Sequence, residues 1–167
     1  MNQQATKEAS FGKTSILVPV DFTTDSEAAL VWACRYAENL DVDVKVLHIV
    51  HDPGDAPGAY HQSEEDLLET MEEVAQDLMN KFLAKLRNKF PDLNALATAQ
   101  SLLIKGIPAT RILEVAEQYS VQHIVMGSRG RTGLPHLLLG SKAERVVQLS
   151  PVPVTIVKAS YFGEKDD

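Results

Sequence analysis

The stretch Val121-Gln-His-Ile-Val-Met126 is an apolar run of strand length, and it passes directly into the small and polar residues Gly127-Ser-Arg-Gly130. The loop-like sequence continues as far as Gly140-Ser141, which opens a run of helix-forming residues that ends near Leu149. A strand, a glycine-containing loop and a helix in this order predict one β-α unit of an α/β protein.

The same alternation of strand and helix runs through the rest of the chain. Apolar and β-branched runs predict strands at 15–20, 42–50, 97–104, 121–126 and 152–157. Helix formers between them predict helices at 26–39, 63–89, 109–119 and 141–149. Such alternation implies a parallel sheet covered on both faces, and right-handed crossovers make it doubly wound. We therefore expect a single-domain, Rossmann-like α/β fold with five parallel strands at 14–159, a flexible tail at 1–13 and an acidic tail at 160–167.

Two helices carry patterns that predict their buried faces. The first helix has Thr23, Thr24 or Asp25 as its candidate N-cap. One face of it carries Ala29, Trp32, Ala33 and Tyr36. In the long second helix, the predicted buried stripe consists of Leu67, Met71, Val74, Leu78, Phe82 and Leu86.

Composition excludes several classes of function. The 167 residues carry a formal net charge of −7, so a broad basic surface for nucleic acid or anionic membranes is not expected. No apolar run approaches the ~20 residues that a membrane helix needs. Cys34 is the only cysteine, which prevents an internal disulfide and fits a reducing compartment. We therefore expect a cytoplasmic protein with no nucleic-acid or membrane partner.

Two loops are candidates for a ligand site, because doubly wound sheets bind ligands beyond the carboxyl ends of strands, where strand order reverses. They are the loop Pro19-Val-Asp-Phe-Thr23 and the loop from Gly127 to Ser141. Glycines at 127 and 130 permit positive φ and let an anion approach the backbone, so successive amides can form a nest. The helix that begins at Gly140-Ser141 offers further amides to a phosphate. On the residues alone, the alternative is a plain surface loop followed by a capped helix.

The spacing Gly127-x2-Gly130-x9-Gly140-Ser141 resembles the ATP-binding motif of universal stress proteins. Further segments in register also resemble that family, namely 18–22, 47–49, 105–108, 124–128 and 150–154. The resemblance covers about 15–158. It implies the strand order 3-2-1-4-5, which places Asp21 beside Gly127 across the reversal. It also points to a homodimer formed through the last strand, 152–157, in which Val152, Val154 and Ile156 alternate.

The resemblance further implies roles for individual residues, with ATP and Mg2+ as cofactors. Main-chain atoms beside Pro19, at Val20 and Ile49, would read the adenine edge. Met126 would lie against the base. Asp21 would contact the ribose or help to hold a phosphate-bound Mg2+. The phosphates would be held at the glycine loop and the following helix, by Gly127, Gly130, Gly140, Ser141 and Lys142, with Arg129 nearby.

The function implied is that of an ATP-binding stress-response protein that acts as a nucleotide-dependent switch or sensor through a regulatory protein partner. Two alternatives stay open. One is an ATP-using enzyme of the related nucleotide-binding superfamily, and the other is a stress protein that binds no nucleotide and works by protein contacts. An enzyme of that superfamily requires an S-G-G-x-D-S loop after the first strand, and the sequence there, Asp21-Phe-Thr-Thr24, does not supply it. Slow ATP hydrolysis remains compatible with the motif.

The chain departs from the family pattern beside the phosphate motif. Lys142 stands where ATP-binding members often have an apolar residue, and Ala143 stands where they often have Thr. The segment 51–61 is too irregular for the resemblance to assign it a role.

Three other motifs resemble functional sites but lack a required feature. Gly12-Lys-Thr14 resembles half of a Walker A motif, but Lys7 stands where its first glycine is needed. His48, His51 and His61 suggest a metal site, but residues three apart on a strand point to opposite faces. A triad of Ser141, Asp21 and a histidine lacks a nucleophile elbow.

Overall fold

The computed structural model of the chain describes residues 14–50, 64–130 and 139–162, without the side chains of 64–70 and 161–162. The predicted N-terminal tail at 1–13, the segment 51–61 and the last five residues of the predicted acidic tail lie outside this part.

Five strands form one sheet in which every neighbouring pair is parallel. They are β1 (Ser15–Pro19), β2 (Asp43–Val50), β3 (Gln100–Lys105), β4 (His123–Gly127) and β5 (Val154–Val157). The strand order is β3-β2-β1-β4-β5, as predicted. The order reverses at β1, because the chain adds β2 and β3 on one side and then crosses to add β4 and β5 on the other.

Five α-helices connect and follow these strands within the described residues, and a short 3-10 helix at Ala159–Phe162 follows β5. They are α1 (Thr24–Leu40), α2 (Glu64–Lys89), α3 (Asn94–Ala97), α4 (Pro108–Gln118) and α5 (Ser141–Leu149). Helices α1 and α2 contribute to the core on one face of the sheet, and α4 and α5 to the core on the other. The predicted doubly wound α/β fold is therefore confirmed. None of these described helices is long and apolar enough to cross a membrane.

Helix α1 begins at Thr24, two residues before the predicted start, and its N-cap is one of the three predicted candidates. Thr23 has extended backbone angles and its side chain accepts a hydrogen bond from the Ser26 amide, so Thr23 is the N-cap. Ala29 and Ala33 are fully buried, whereas Trp32 is half-buried and stacks on the partly exposed Tyr36 with ring centroids 5.0 Å apart. Small side chains face the sheet because the helix lies close against β1 and β4.

Cys34 is also fully buried in this helix. Burial, followed by the nearby charge of Glu38, raises the pKa of the Cys34 thiol to about 12. The thiol therefore stays protonated at neutral pH and packs as a small apolar group.

The predicted stripe of α2 is wrong over the middle of the helix. Val74 is 55% exposed and Leu78 is 39% exposed. Ala75 and Met79, one residue further along, are buried in their place. Phe82 and Leu86 are buried as predicted, and Leu83 is buried beside them. The sequence offers two adjacent apolar stripes, and the pair with alanine and the unbranched methionine is the one that packs on the sheet.

Helix α3 was not predicted, and the predicted start of the third strand at 97 is wrong. The segment Asn94–Ala97 forms one helical turn in which Leu96 is buried and the Thr98 hydroxyl donates to Asn94 O at 3.1 Å. This turn packs against α1 and β2 instead of extending β3. The other strand boundaries differ from prediction by two residues or fewer.

The revised face of α2 can be tested with two leucines of the same helix. We expect Leu83→Ala to lower the free energy of unfolding by about 2–5 kcal/mol, because it leaves a cavity under the helix. The matched variant Leu78→Ala should cost no more than about 1 kcal/mol, since that side chain is already partly in water. Urea unfolding followed by circular dichroism measures both. Equal losses would mean that Leu78 belongs to the core.

Candidate functional site

A cavity of about 460 Å³ opens at the carboxyl ends of β1, β2 and β4, where the strand order reverses. Its volume lies within the range of roughly 300–1,000 Å³ that is usual for small-molecule sites. All the predicted site residues line it, namely Pro19, Val20, Asp21, Ile49, Met126, Gly127, Arg129, Gly130, Gly140, Ser141 and Lys142. The structure thus brings together residues from four separate elements of the chain.

Apolar side chains form part of the wall. Leu47 and Ile49 come from β2, Ile112 comes from α4, and Met126 comes from β4. Pro108, at the start of α4, completes this apolar wall. Such a wall suits a flat, poorly hydrated group such as an aromatic base.

The exit of β1 is held by hydrogen bonds to both main-chain groups of one residue, Val20. Val20 donates its N–H to Leu47 O at 2.8 Å, and its carbonyl accepts from His48 Nδ1 at 2.8 Å. Phe22 then takes a positive φ of 67°. This turn presents Asp21 to the cavity, with Asp21 Oδ1 accepting from Thr23 Oγ1 at 2.6 Å and the other oxygen facing Gly130.

The glycines of the loop serve close packing. Gly127 and Gly130 do not use the positive φ that glycine permits, since neither lies in the left-handed region. A Cβ at Gly127 would lie 2.9 Å from the main-chain carbon and the Cβ of Asp25, so this glycine makes room for the start of α1. A Cβ at Gly130 would lie 2.9 Å from Asp21 Oδ2, so this glycine lets the carboxylate approach the loop.

Asp25 does not line the cavity but holds the loop that forms its wall, and sequence reasoning missed this role. Its side chain is buried, and Asp25 Oδ2 accepts from Ser128 Oγ at 2.6 Å and from the Arg129 amide at 3.0 Å. The other oxygen accepts from the Ala159 amide at 3.2 Å. Arg129 Nε lies 3.6 Å from Asp25 Oδ2 and supplies a countercharge. The signal was present, because Asp25 precedes Ala29 by one helical turn and so falls on the buried face.

Several loop amides are already used inside the protein. Besides the Arg129 amide, Ser128 donates to Val157 O at 2.9 Å and Gly140 donates to Ser128 O at 2.8 Å. The expected nest of amides at the glycine loop therefore does not include these three donors. The first-turn amides of α5 differ, because no side chain among the described residues caps this helix and its first intrahelical bond is donated by Glu144. Those of Ser141 and Lys142 lie at the cavity wall.

Histidines do not converge on a metal site in the part of the chain that the structure describes. No group of three His, Cys, Asp or Glu side chains is close enough there to hold an ion. His48 lines the cavity instead, while His51 and His61 fall outside the described residues.

We expect Asp25→Asn to lower the free energy of unfolding by about 1–3 kcal/mol. The carboxylate accepts hydrogen bonds from three donors, and the NH2 group of asparagine would face one of them without being able to accept its hydrogen bond. The exposed Asp92 provides the control, and Asp92→Asn should change stability by less than about 0.5 kcal/mol. Thermal and urea unfolding compare the two variants. If Asp25→Asn leaves the free energy of unfolding unchanged, the three contacts add no stability.

Comparisons with known proteins agree with the fold. The profile of the Universal stress protein family matches residues 14–158. A universal stress protein from Methanocaldococcus jannaschii is 31% identical over 144 residues, which cover 86% of this chain and 81% of that protein. The solved structure of UspA from Lactobacillus plantarum has a TM-score of 0.69 at 25% identity and covers 87% of this chain and 97% of its own. A universal stress protein from Archaeoglobus fulgidus in complex with dAMP shares the fold, with a TM-score of 0.57, 24% identity, and coverage of 87% and 98%. The chain belongs to the universal stress protein family.

Proposed function

We propose that this protein binds ATP with Mg2+ in the cavity at the end of β1 and acts in the cytoplasm as a nucleotide-dependent switch or sensor. The observation that carries the proposal is that one cavity joins an apolar wall, a carboxylate and the uncapped N-terminus of a helix. These are the chemical features that a base, a ribose and a phosphate chain require.

The base would lie against Met126 and Ile112, with its edge toward the main chain of Ile49. Val20 is less suited to this reading than the sequence suggests, because its N–H and one lone pair of its carbonyl are already engaged. Ile49 therefore becomes the principal main-chain reader of the base in the proposal.

The phosphates would lie at the start of α5. The amides of Ser141 and Lys142 point to the open end of the helix, where the dipole favours negative charge. The Ser141 hydroxyl adds a donor, and the missing side chain at Gly130 would let the phosphate chain approach the protein backbone closely. Lys142 and Arg129 supply positive charge, although Asp25 already neutralises part of that of Arg129.

Asp21 fits either of two roles at this site. Its carboxylate faces Gly130, between the apolar wall and α5, so it can accept from a ribose hydroxyl or help to hold Mg2+. A single carboxylate is a usual protein contribution to Mg2+ that is otherwise held by phosphates and water. Bound Mg2+ would neutralise phosphate charge. The proposal is one of binding and signalling, with ATP hydrolysis slow or absent.

The dAMP held by the Archaeoglobus fulgidus protein supports the proposal at the level of the fold, since it demonstrates that this architecture can accommodate an adenine nucleotide. The choice of ATP for this chain rests on the glycine-loop motif and on the charged residues beside α5.

We also propose that two copies pair through β5, which lies at one edge of the sheet. Val152, Val154 and Ile156 pack their side chains toward the core shared by α4 and α5. Ile124 donates to Pro153 O and Ser128 donates to Val157 O, so the odd-numbered residues of this segment face β4. The main-chain groups of Val154 and Ile156 therefore face the free edge, where a second copy can add its own β5.

Nucleotide binding predicts a thermal shift. At a hundredfold excess over its dissociation constant, Mg-ATP should add about 2.7 kcal/mol to the free energy of unfolding. For a chain of this size we expect an increase in melting temperature of roughly 2–4 °C per kcal/mol. Differential scanning calorimetry with and without millimolar Mg-ATP checks this, and an unchanged melting temperature would refute ATP binding.

Substitutions at Gly130 and Asp21 test how the site holds ATP. We expect Gly130→Val to abolish ATP and ADP binding, and Asp21→Ala to weaken both less severely, as measured by calorimetric titration of variants shown to be folded. Because a side chain at 130 also meets Asp21, the double variant Asp21→Ala/Gly130→Val is the control. If the double variant binds as well as Asp21→Ala alone, Gly130 serves only the carboxylate and the phosphate role is wrong.

The dimer can be tested at the free edge of β5. Light scattering should report a dimer for the parent at micromolar concentration. Val154→Pro should yield a monomer that keeps its fold, because proline removes an N–H that faces the edge and leaves the ladder to β4 intact. A parent that is monomeric at this concentration would refute the interface.

A further inference from the structure

The ladder between β1 and β2 stops one hydrogen bond earlier than its geometry allows. Pro19 and Leu47 are the last registered pair, and Val20 extends the ladder by donating to Leu47 O. In a parallel pair, the next bond would run from Ile49 N–H to Val20 O. Among the described residues this bond is not made, and the Val20 carbonyl accepts from His48 Nδ1 instead.

The His48 ring is held in the position that makes this bond. Its centroid lies 4.3 Å from that of Phe22, with the planes inclined by 32°. Phe22 in turn meets the edge of Phe82 of α2 at 5.4 Å. Because a carbonyl can only accept, His48 Nδ1 carries the proton of this bond. The imidazole thus replaces a main-chain donor at the end of β1.

The peptide groups of Ile49 are consequently left facing the cavity. Along β2, the odd-numbered positions bond toward β1, as Asp43 N–H does to Thr14 O and Leu47 O does with Val20. Even-numbered positions bond toward β3, as Val50 O does with the Gly106 amide. Ile49 follows the first group, at a point where β1 has left the sheet and the cavity begins.

The N–H and C=O of Ile49 offer one hydrogen-bond donor and one acceptor in a fixed order. They match a base edge that has an acceptor and a donor in the complementary order. The edge of adenine offers an acceptor at N1 beside a donor at its 6-amino group. Hypoxanthine, the base of inosine, has the opposite order, with N1–H beside a 6-oxo group. An unmatched buried polar group costs about 1–3 kcal/mol, so this difference is enough to discriminate between them.

We propose that His48 is a positioning residue: by occupying the Val20 carbonyl, it keeps the Ile49 peptide free and so sets the preference for adenine over hypoxanthine. The inference rests on the proposed function, because it concerns how the same cavity selects its nucleotide. Without the imidazole donor, the Val20 carbonyl would accept a hydrogen bond from the Ile49 N–H. That N–H would then no longer be available to the base.

The first experiment measures selectivity. Dissociation constants for Mg-ATP and Mg-ITP are determined by calorimetry for the parent, His48→Phe and His48→Gln. The phenylalanine keeps a ring against Phe22 but has no donor, whereas glutamine restores an N–H. We expect the parent to prefer ATP by about tenfold, equivalent to about 1.4 kcal/mol. The preference should fall to about threefold or less in His48→Phe and recover in His48→Gln.

A matched control separates this effect from a general loss of packing. His123 is also half-buried and bonded through its ring, by Nε2 to Thr155 Oγ1 at 2.8 Å, but it lies at the start of β4. His123→Phe should leave the ratio of the two dissociation constants unchanged. If His48→Phe weakens both nucleotides equally and keeps the tenfold ratio, His48 is merely structural and the inference is overturned.

The second experiment needs no nucleotide. In the free protein, exchange of the Ile49 amide with solvent, followed by nuclear magnetic resonance, should be at least about tenfold slower in His48→Phe than in the parent, because that N–H gains a main-chain acceptor. His48→Leu serves if the phenylalanine variant does not fold. Unchanged exchange overturns the inference. If the parent binds ATP and ITP equally, the inference fails while nucleotide binding stands, and if it binds neither, the proposed function fails.

Discussion

The carboxylate of Asp25 is the contact on which the β4 side of the cavity depends. It is buried and accepts hydrogen bonds from the loop after β4 and from the segment after β5. A buried carboxylate that loses its partners is costly, by about 3–5 kcal/mol where a paired charge is left uncompensated. The start of α1, the loop and the end of β5 are therefore fixed together, and displacement of any one of them removes donors from the same group.

This arrangement decides which groups remain for a ligand. The amides of Ser128 and Arg129 are held by contacts within the protein, and so is that of Gly140. The loop is consequently a packed wall of the site, with its glycines making room for α1 and for Asp21. Within the part of the chain that the structure describes, donors without a side-chain cap are found at the start of α5, where the helix dipole adds to their attraction for an anion. In the proposed complex, the loop would thus shape the site, and α5 would supply most of the attraction for phosphate.

Much of this could be predicted from the sequence, because burial leaves strong signals in strands and topology then fixes where their ends meet. Apolar runs located all five strands, and the family resemblance supplied their order. Positions at the carboxyl ends of β1 and β4 had to lie close together, so residues as distant in sequence as Asp21 and Gly130 could be assigned to one site. The side of α2 that is buried could not be decided, because Val74–Leu78 and Ala75–Met79 form competing stripes. The partners of individual amides could not be predicted either, since they depend on distances of a few tenths of an ångström.

The two sides of β1 solve one physical problem in the same way. A cavity at the end of a parallel sheet requires neighbouring strands to separate. Their separation leaves main-chain groups without their ladder partners, and these groups must find other partners. On the β2 side, the imidazole of His48 takes the Val20 carbonyl. On the β4 side, the carboxylate of Asp25 takes the Arg129 amide. Each side chain comes from the element that borders the gap, so the strands part without leaving those groups unsatisfied. The cavity is therefore a product of side-chain substitution in the ladder, which explains why a histidine and an aspartate outside the glycine motif matter to its shape.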